Sequence, residues 1–163
     1  NMPCLYGFVP KTLCDDRVAA FANEKTNRTN IVGDNDPLDI CVLSERGFLH
    51  NGILCEAKVI GGLRMIDGGE ADDKIIAVLK NDQAYGDFND ISEMPKMVID
   101  RVRHFFLTYK DLDGGAKNVE VTHVYGKEEA FEVIKLASED YDAKYGNVNE
   151  SLVEAILDAV AVK

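Results

Sequence analysis

The stretch Gly33-Asp34-Asn35-Asp36-Pro37-Leu38-Asp39-Ile40-Cys41-Val42 places three carboxylates within six positions and then runs directly into an apolar strand. Like charges this close repel, and burying them unpaired costs several kcal/mol or more, so a bound metal or a shifted pKa is the usual resolution. An ordinary solvated turn draws on the same residue types, Asp, Asn, Pro and Gly, and the segment alone does not choose between the two readings. A second acidic cluster, Asp67-Gly68-Gly69-Glu70-Ala71-Asp72-Asp73-Lys74, again at a strand boundary and with a lysine at its exit, tips the balance toward a divalent-metal site.

The rest of the chain gives that site a setting. With 163 residues, 46% of them hydrophobic, the chain has enough apolar material for one domain with a real core and too little for two. β-Branched and apolar runs over 39–43, 52–65 and 74–79 predict strands of one sheet or barrel, with a glycine break at Gly61-Gly62. A helix is expected from the Ser92-Glu93-Met94-Pro95 start to Lys110, because Met94, Val98, Val102, Phe105 and Tyr109 recur at helical steps. After a turn at Gly114-Gly115, Asn118–Tyr125 alternates like a strand. Helices follow over 127–145 and, with Leu152, Val153, Ile156 and Val160 on one face, over 149–160. The polar, weakly periodic segment from Cys14 to Val32 reads as an exposed loop.

Charge and cysteine usage narrow the function. Eighteen Lys and Arg against 29 Asp and Glu leave a net charge of −11, which disfavours nucleic acid or an anionic membrane as partner. The four cysteines, Cys4, Cys14, Cys41 and Cys55, show no C-x-x-C spacing, so a structural zinc site is not expected. Cys41 and Cys55 sit in apolar runs and are expected to be buried free thiols, which points to a reducing, cytoplasmic setting.

Asp34, Asp36, Asp39, Asp67 and Asp72 offer hard oxygen ligands without histidine or thiolate, favouring Mg²⁺ or Mn²⁺. A calcium loop of the EF-hand type fails, because Leu38 and Asp39 would occupy its fifth ligand and its glycine. Lys74, Lys110, Tyr6 and Tyr109 are donors suited to phosphoryl oxygens. Each has an ordinary alternative: a strand-edge lysine for Lys74, a helix-terminal charge for Lys110, and a core aromatic with a wet hydroxyl for either tyrosine.

Taken in order, Tyr6-Gly-Phe-Val-Pro, Gly33-Asp-Asn-Asp-Pro-Leu-Asp39, Asp67-x-Gly-Glu-x-Asp72-x-Lys74 and His104-Phe-Phe-x-x-Tyr109-Lys110 closely resemble the soluble inorganic pyrophosphatases of the β-barrel family. The resemblance covers nearly the whole chain, and the stretch before Asp34 looks more like that of eukaryotic members. It implies a mainly β fold, a small closed OB-like barrel with flanking α-helices, and hydrolysis of pyrophosphate to two orthophosphates with several Mg²⁺ per site. Carried over by position, it implies Asp34, Asp39 and Asp72 as ligands of a first metal, with Asp39 also reaching a second. Asp67 and Asp72 would bind metals arriving with substrate, and Asp36 would be the general base. Tyr6, Lys74, Tyr109 and Lys110 would hold phosphoryl oxygens, and the protein would be a homo-oligomer, a dimer or hexamer.

Two departures from the family pattern stand out. Gly68 takes the place of a family glutamate, so a polar contact near the metals is expected to be lost or supplied by Glu70 or Asp73. The family also sets further strands, with a lysine, a glutamate and an arginine of the site, ahead of the Tyr-Gly motif. Residues 1–163 are therefore expected to be a single domain lacking its N-terminal strands. Of the rival readings, a D-x-D phosphatase normally carries its aspartates at the end of a strand, whereas here the strand follows them. A non-catalytic OB-like metal-binding module leaves Lys74 and Tyr109-Lys110 unexplained and lacks a basic or aromatic binding face.

Overall fold

Lys74–Leu79 is apolar at every position after its lysine, the pattern of a strand covered on both faces rather than one. The computed structural model, which describes residues 2–46, 52–110 and 118–161 and side chains as far as 146, shows why. Among the described residues, β1 (Leu5–Phe8), β2 (Val32–Gly33), β3 (Asp39–Leu43), β4 (Ala57–Asp67), β5 (Glu70–Ala71), β6 (Lys74–Leu79) and β7 (Val119–Gly126) form one mixed sheet. Its order is β1-β3-β6-β4-β5-β2, with β7 on the other side of β4. Three helices, α1 (Asp16–Thr26), α2 (Lys96–Thr108) and α3 (Lys127–Ala161), pack around it.

The sheet curls into a half-barrel of OB-like, mainly β type with flanking helices. One face packs Cys41, Leu63, Met65, Ile76 and Val78 against Ile99, Val102 and Phe106 of α2. The other packs Ile66, Ala71 and Ile75 against Val18 and Ala22 of α1 and Ala130, Val133 and Ala137 of α3. Neighbouring Ile75 and Ile76 thus belong to different cores, which is why alternation is invisible in this strand's sequence.

Several elements differ from the sequence reading. The segment from Cys14 to Val32 is not an exposed loop: it contains α1, which buries Val18, Ala19 and Ala22. The strand expected over 52–65 runs instead over Ala57–Asp67, and Cys55 lies exposed before it rather than buried. Gly61 and Gly62 do not break β4. A Cβ on Gly62 would stand 2.4 Å from the Tyr125 ring, so the glycine makes room for that aromatic. The helix expected from Ser92 to Lys110 is a 3₁₀ turn, Ile91–Glu93, followed by α2. The two C-terminal helices are one, Lys127–Ala161. The Gly114-Gly115 turn and the apolar face at 152–160 fall outside the residues, or the side chains, that the structure describes.

Candidate active site

Strand register assembles the cleft. In the parallel β3–β6 pair Asp39 stands level with Lys74, and in the antiparallel β1–β3 pair Tyr6 faces Cys41, one diagonal step from Asp39. The parallel β2–β5 pair sets Gly33 beside Ala71, so Asp34 and Asp72 leave the sheet together. The hairpin from β4 to β5 turns at Gly68 and Gly69, both with positive φ, and presents Asp67 at the same rim.

The contacts follow from that register. Lys74 Nζ donates to Asp39 Oδ2 at 2.6 Å and also to Asp72, while the Tyr6 hydroxyl donates to the same Asp39 oxygen at 2.5 Å. Lys110 pairs with Asp67. Asp34 accepts the Asp36 backbone N–H at 2.9 Å, an Asx turn that leaves the Asp36 carboxylate exposed. Aromatic side chains wall one side: Tyr6 and Phe106 have ring centroids 5.7 Å apart, Tyr109 stacks on Phe105 at 5.5 Å, and Lys74 lies 5.6 Å from the Phe106 centroid. All nine residues singled out in the sequence therefore meet around one cleft or its rim. Phe105 and Phe106, which read only as part of a helical apolar stripe, supply its platform.

The electrostatics of the cleft call for added positive charge. Burial, reinforced by Asp72 and Asp36, pushes the Asp34 carboxyl up to about 7. Burial likewise raises Asp72, with Lys74 offsetting part of the effect. Burial works against the Lys74 cation, yet Asp72 and Asp39 together hold its pKa well above the ordinary lysine range. Among the described residues no three carboxylates converge on one point as a ready cation cage. Lys74 and Lys110 lie against the acids instead. The donor set is nonetheless all hard oxygen, and two of its members are held back from ionising by burial, which is the chemistry a hard divalent cation relieves.

Asp73 does not fill in for the family glutamate. It faces away from the cleft, 2% exposed, where Arg64 Nε lies 3.1 Å from one carboxylate oxygen and the Tyr125 hydroxyl donates to it at 2.9 Å. Arg64 also reaches Glu129 of α3 at 2.9 Å and is sandwiched between the Phe21 and Tyr125 rings. Period-two alternation accounts for this: Asp72 and Lys74 share one face, so Asp73 takes the other. Glu70 is exposed on β5.

Comparison with known proteins agrees with this geometry. The chain is 50% identical over 144 residues to an inorganic pyrophosphatase of Chlamydia muridarum, covering 85% of this chain and 69% of that one. It is 38% identical over 143 residues to soluble inorganic pyrophosphatase 2 of Chlamydomonas reinhardtii, covering 88% and 64%. The bacterial relative is thus the more similar of the two, against the eukaryotic likeness expected from the stretch before Asp34. The inorganic pyrophosphatase of Helicobacter pylori superposes with a TM-score of 0.70 at 33% identity, over 87% of this chain and 73% of that one. The family model for inorganic pyrophosphatase matches residues 1–142, and this chain belongs to that family.

Proposed function

We infer that this chain hydrolyses inorganic pyrophosphate to two orthophosphates. The observation that carries the reading is the meeting of Asp34, Asp39 and Asp72 around Lys74, with Asp36 exposed at the mouth of the same cleft. The family is metal-dependent, and we propose Mg²⁺ as its ion here, with Mn²⁺ as a substitute, because every candidate ligand is a hard oxygen. Asp34, Asp39, Asp67 and Asp72 hold the metal in this proposal. When bound, the metal lowers the pKa of an attacking water and neutralises charge on the phosphates.

The remaining roles belong to the chain itself. Asp36 accepts the proton of the attacking water, a task for which an exposed carboxylate within reach of solvent suffices. Lys74 and Lys110 release their carboxylates to the metal and turn their charge to phosphoryl oxygens, while Tyr6 and Tyr109 donate hydroxyl hydrogen bonds to the same groups. Phe105 and Phe106 fix the two tyrosines from behind. The substrate is small and ionic, so a cleft of carboxylates and lysines needs no apolar pocket.

The test is phosphate release from pyrophosphate with Mg²⁺, with EDTA added, and in Asp36→Asn. Release that requires the metal and falls at least about 100-fold in the variant supports the assignment. Release unaffected by chelator, or an Asp36→Asn protein of wild-type rate, would sink it. The cytoplasmic setting and a homo-oligomeric state, dimer or hexamer, belong to the same proposal. Among the described residues no helix is long and apolar enough to cross a membrane. Light scattering during gel filtration tests the oligomer.

A further inference from the structure

The acidic loop that carries Asp34 and Asp36 has almost no regular structure of its own, yet its backbone is pinned at several points. Asn35 N donates to Cys14 O at 3.0 Å, and Cys14 N donates to Asp36 O at 2.9 Å, a reciprocal pair that docks the loop on the residue leading into α1. Gly33 completes the fit, because a Cβ there would stand 2.4 Å from Cys14 O. The next question is what holds Cys14.

The answer lies in α3. Asp140, 3% exposed, accepts the backbone N–H groups of Asp15 at 3.2 Å, Arg17 at 3.1 Å and Val18 at 3.2 Å, and pairs with the Arg17 guanidinium at 3.0 Å. Asp15, at the N-cap of α1, makes no side-chain capping bond of its own. The first turn of α1 would otherwise leave those donors unsatisfied, and a carboxylate is the acceptor that the positive end of a helix favours. Two further ties leave the same face of α3: Ala137 O accepts from Leu13 N at 2.9 Å, and Lys144 Nζ donates to Asn35 Oδ1 at 2.8 Å. Residues 137, 140 and 144 follow the three- and four-residue spacing of one helix face.

We propose that Asp140 is a positioning residue for pyrophosphate hydrolysis, holding the Cys14–Val18 segment so that the docked Asp34–Asp36 loop presents the metal ligand and the base in register. It acts through Cys14 and does not touch the cleft. The proposal rests on the assignment of the cleft as a pyrophosphatase site.

The experiment compares wild type, Asp140→Asn, Asp140→Ala and Ala20→Gly in the full chain. Ala20 is exposed on α1, so Ala20→Gly weakens the helix without removing any tie to the loop. Amide hydrogen exchange is followed separately over 13–20 and 33–39, alongside Mg²⁺ binding by calorimetry and kcat and KM for pyrophosphate at saturating Mg²⁺. Asp140→Ala is expected to speed exchange in both segments, weaken Mg²⁺ binding and lower kcat about tenfold with KM little changed, since small misplacements of a base are costly. Asp140→Asn, which keeps one acceptor oxygen, is expected to fall between, and it carries the test if the alanine variant does not fold. Ala20→Gly is expected to lower the melting temperature and speed exchange over 13–20 only. Exchange over 33–39 and a kcat that stay at wild-type values in Asp140→Ala would overturn the proposal, as would Ala20→Gly reproducing its kinetics. A wild-type protein without Mg²⁺-dependent hydrolysis would defeat the cleft assignment instead, and the exchange arm would still decide the coupling.

Discussion

Asp72, Asp73 and Lys74 are consecutive, yet they belong to two charge clusters set back to back through one sheet. On the cleft face Asp34, Asp39, Asp67 and Asp72 outnumber Lys74 and Lys110, and the acids stay partly in reach of water. On the other face Arg64 lies between Asp73 and Glu129 and is fully buried. The cleft cluster carries an excess of one sign that something from solvent must balance. The buried cluster is closed on itself and serves the fold. Charged residues on adjacent positions can therefore have unrelated roles, and the pleat of the strand sorts them.

The largest effect should come from breaking the buried cluster. Arg64→Met leaves Asp73 without its counter-charge in a dry interior and is expected to lose about 3–5 kcal/mol in urea denaturation. Replacing both partners, Arg64→Met with Asp73→Leu, should recover stability to within about 1–2 kcal/mol of wild type, because an apolar pair removes the cost of burying charge. A double variant no more stable than the single one would show that the two clusters are not separable.

The cleft cluster should behave in the opposite way. Asp34→Asn keeps the oxygen that accepts the Asp36 N–H but removes a charge that burial disfavours. Metal-free melting temperature at pH 8 is expected to hold or rise, while hydrolysis falls about 100-fold, a change of ~2.7 kcal/mol. A protein that loses stability and activity together would blur the contrast.

A smaller effect tests the packing between the clusters. Gly62→Ala drives a methyl into the Tyr125 ring, whose hydroxyl holds Asp73, and should cost about 1–3 kcal/mol in melting or denaturant experiments. Activity per folded molecule should remain near wild type. The smallest expected effect is on pH. Asp34, raised to about 7, keeps a proton in the folded protein that an unfolded chain, with its carboxyl near about 3.9, has already released. Metal-free stability should therefore decline as pH rises from about 4 to about 7. Asp73, raised by burial to about 6, acts in the same sense over a narrower window. Mg²⁺ affinity and activity should rise across the same range as Asp34 ionises. Calorimetric titration from pH 5 to 8 checks this, and an affinity flat with pH would count against Asp34 as a ligand.

The cleft was legible in the sequence because its chemistry is local. D-x-D-P-x-D and D-x-G-E-x-D-x-K each put their acids on one short segment, and parallel register then joins the two. The helix α1 was not legible for the converse reason: its first turn is capped by Asp140, 125 positions from Asp15, so no local signal marks its start. Asp73 was misread as a cleft residue although alternation alone sends it to the other face. Cys55 was misread because an apolar run beside a strand need not be part of it. The two-sided burial of β6 left its orientation undetermined until α1, α2 and α3 were in place on opposite faces.

Lys74 has one more consequence. With its ammonium lodged between Asp39 and Asp72, 2% exposed, the protein carries its own provisional counter-ion. Zinc fingers reach their shape only once the ion arrives, but a chain with an internal ammonium at the crowded point of its carboxylates can complete its fold in a metal-poor moment of its life and load afterwards. Assembly and activation are thereby uncoupled in time, and a chelated, inactive protein remains a reserve that the next rise in free metal can recruit without refolding.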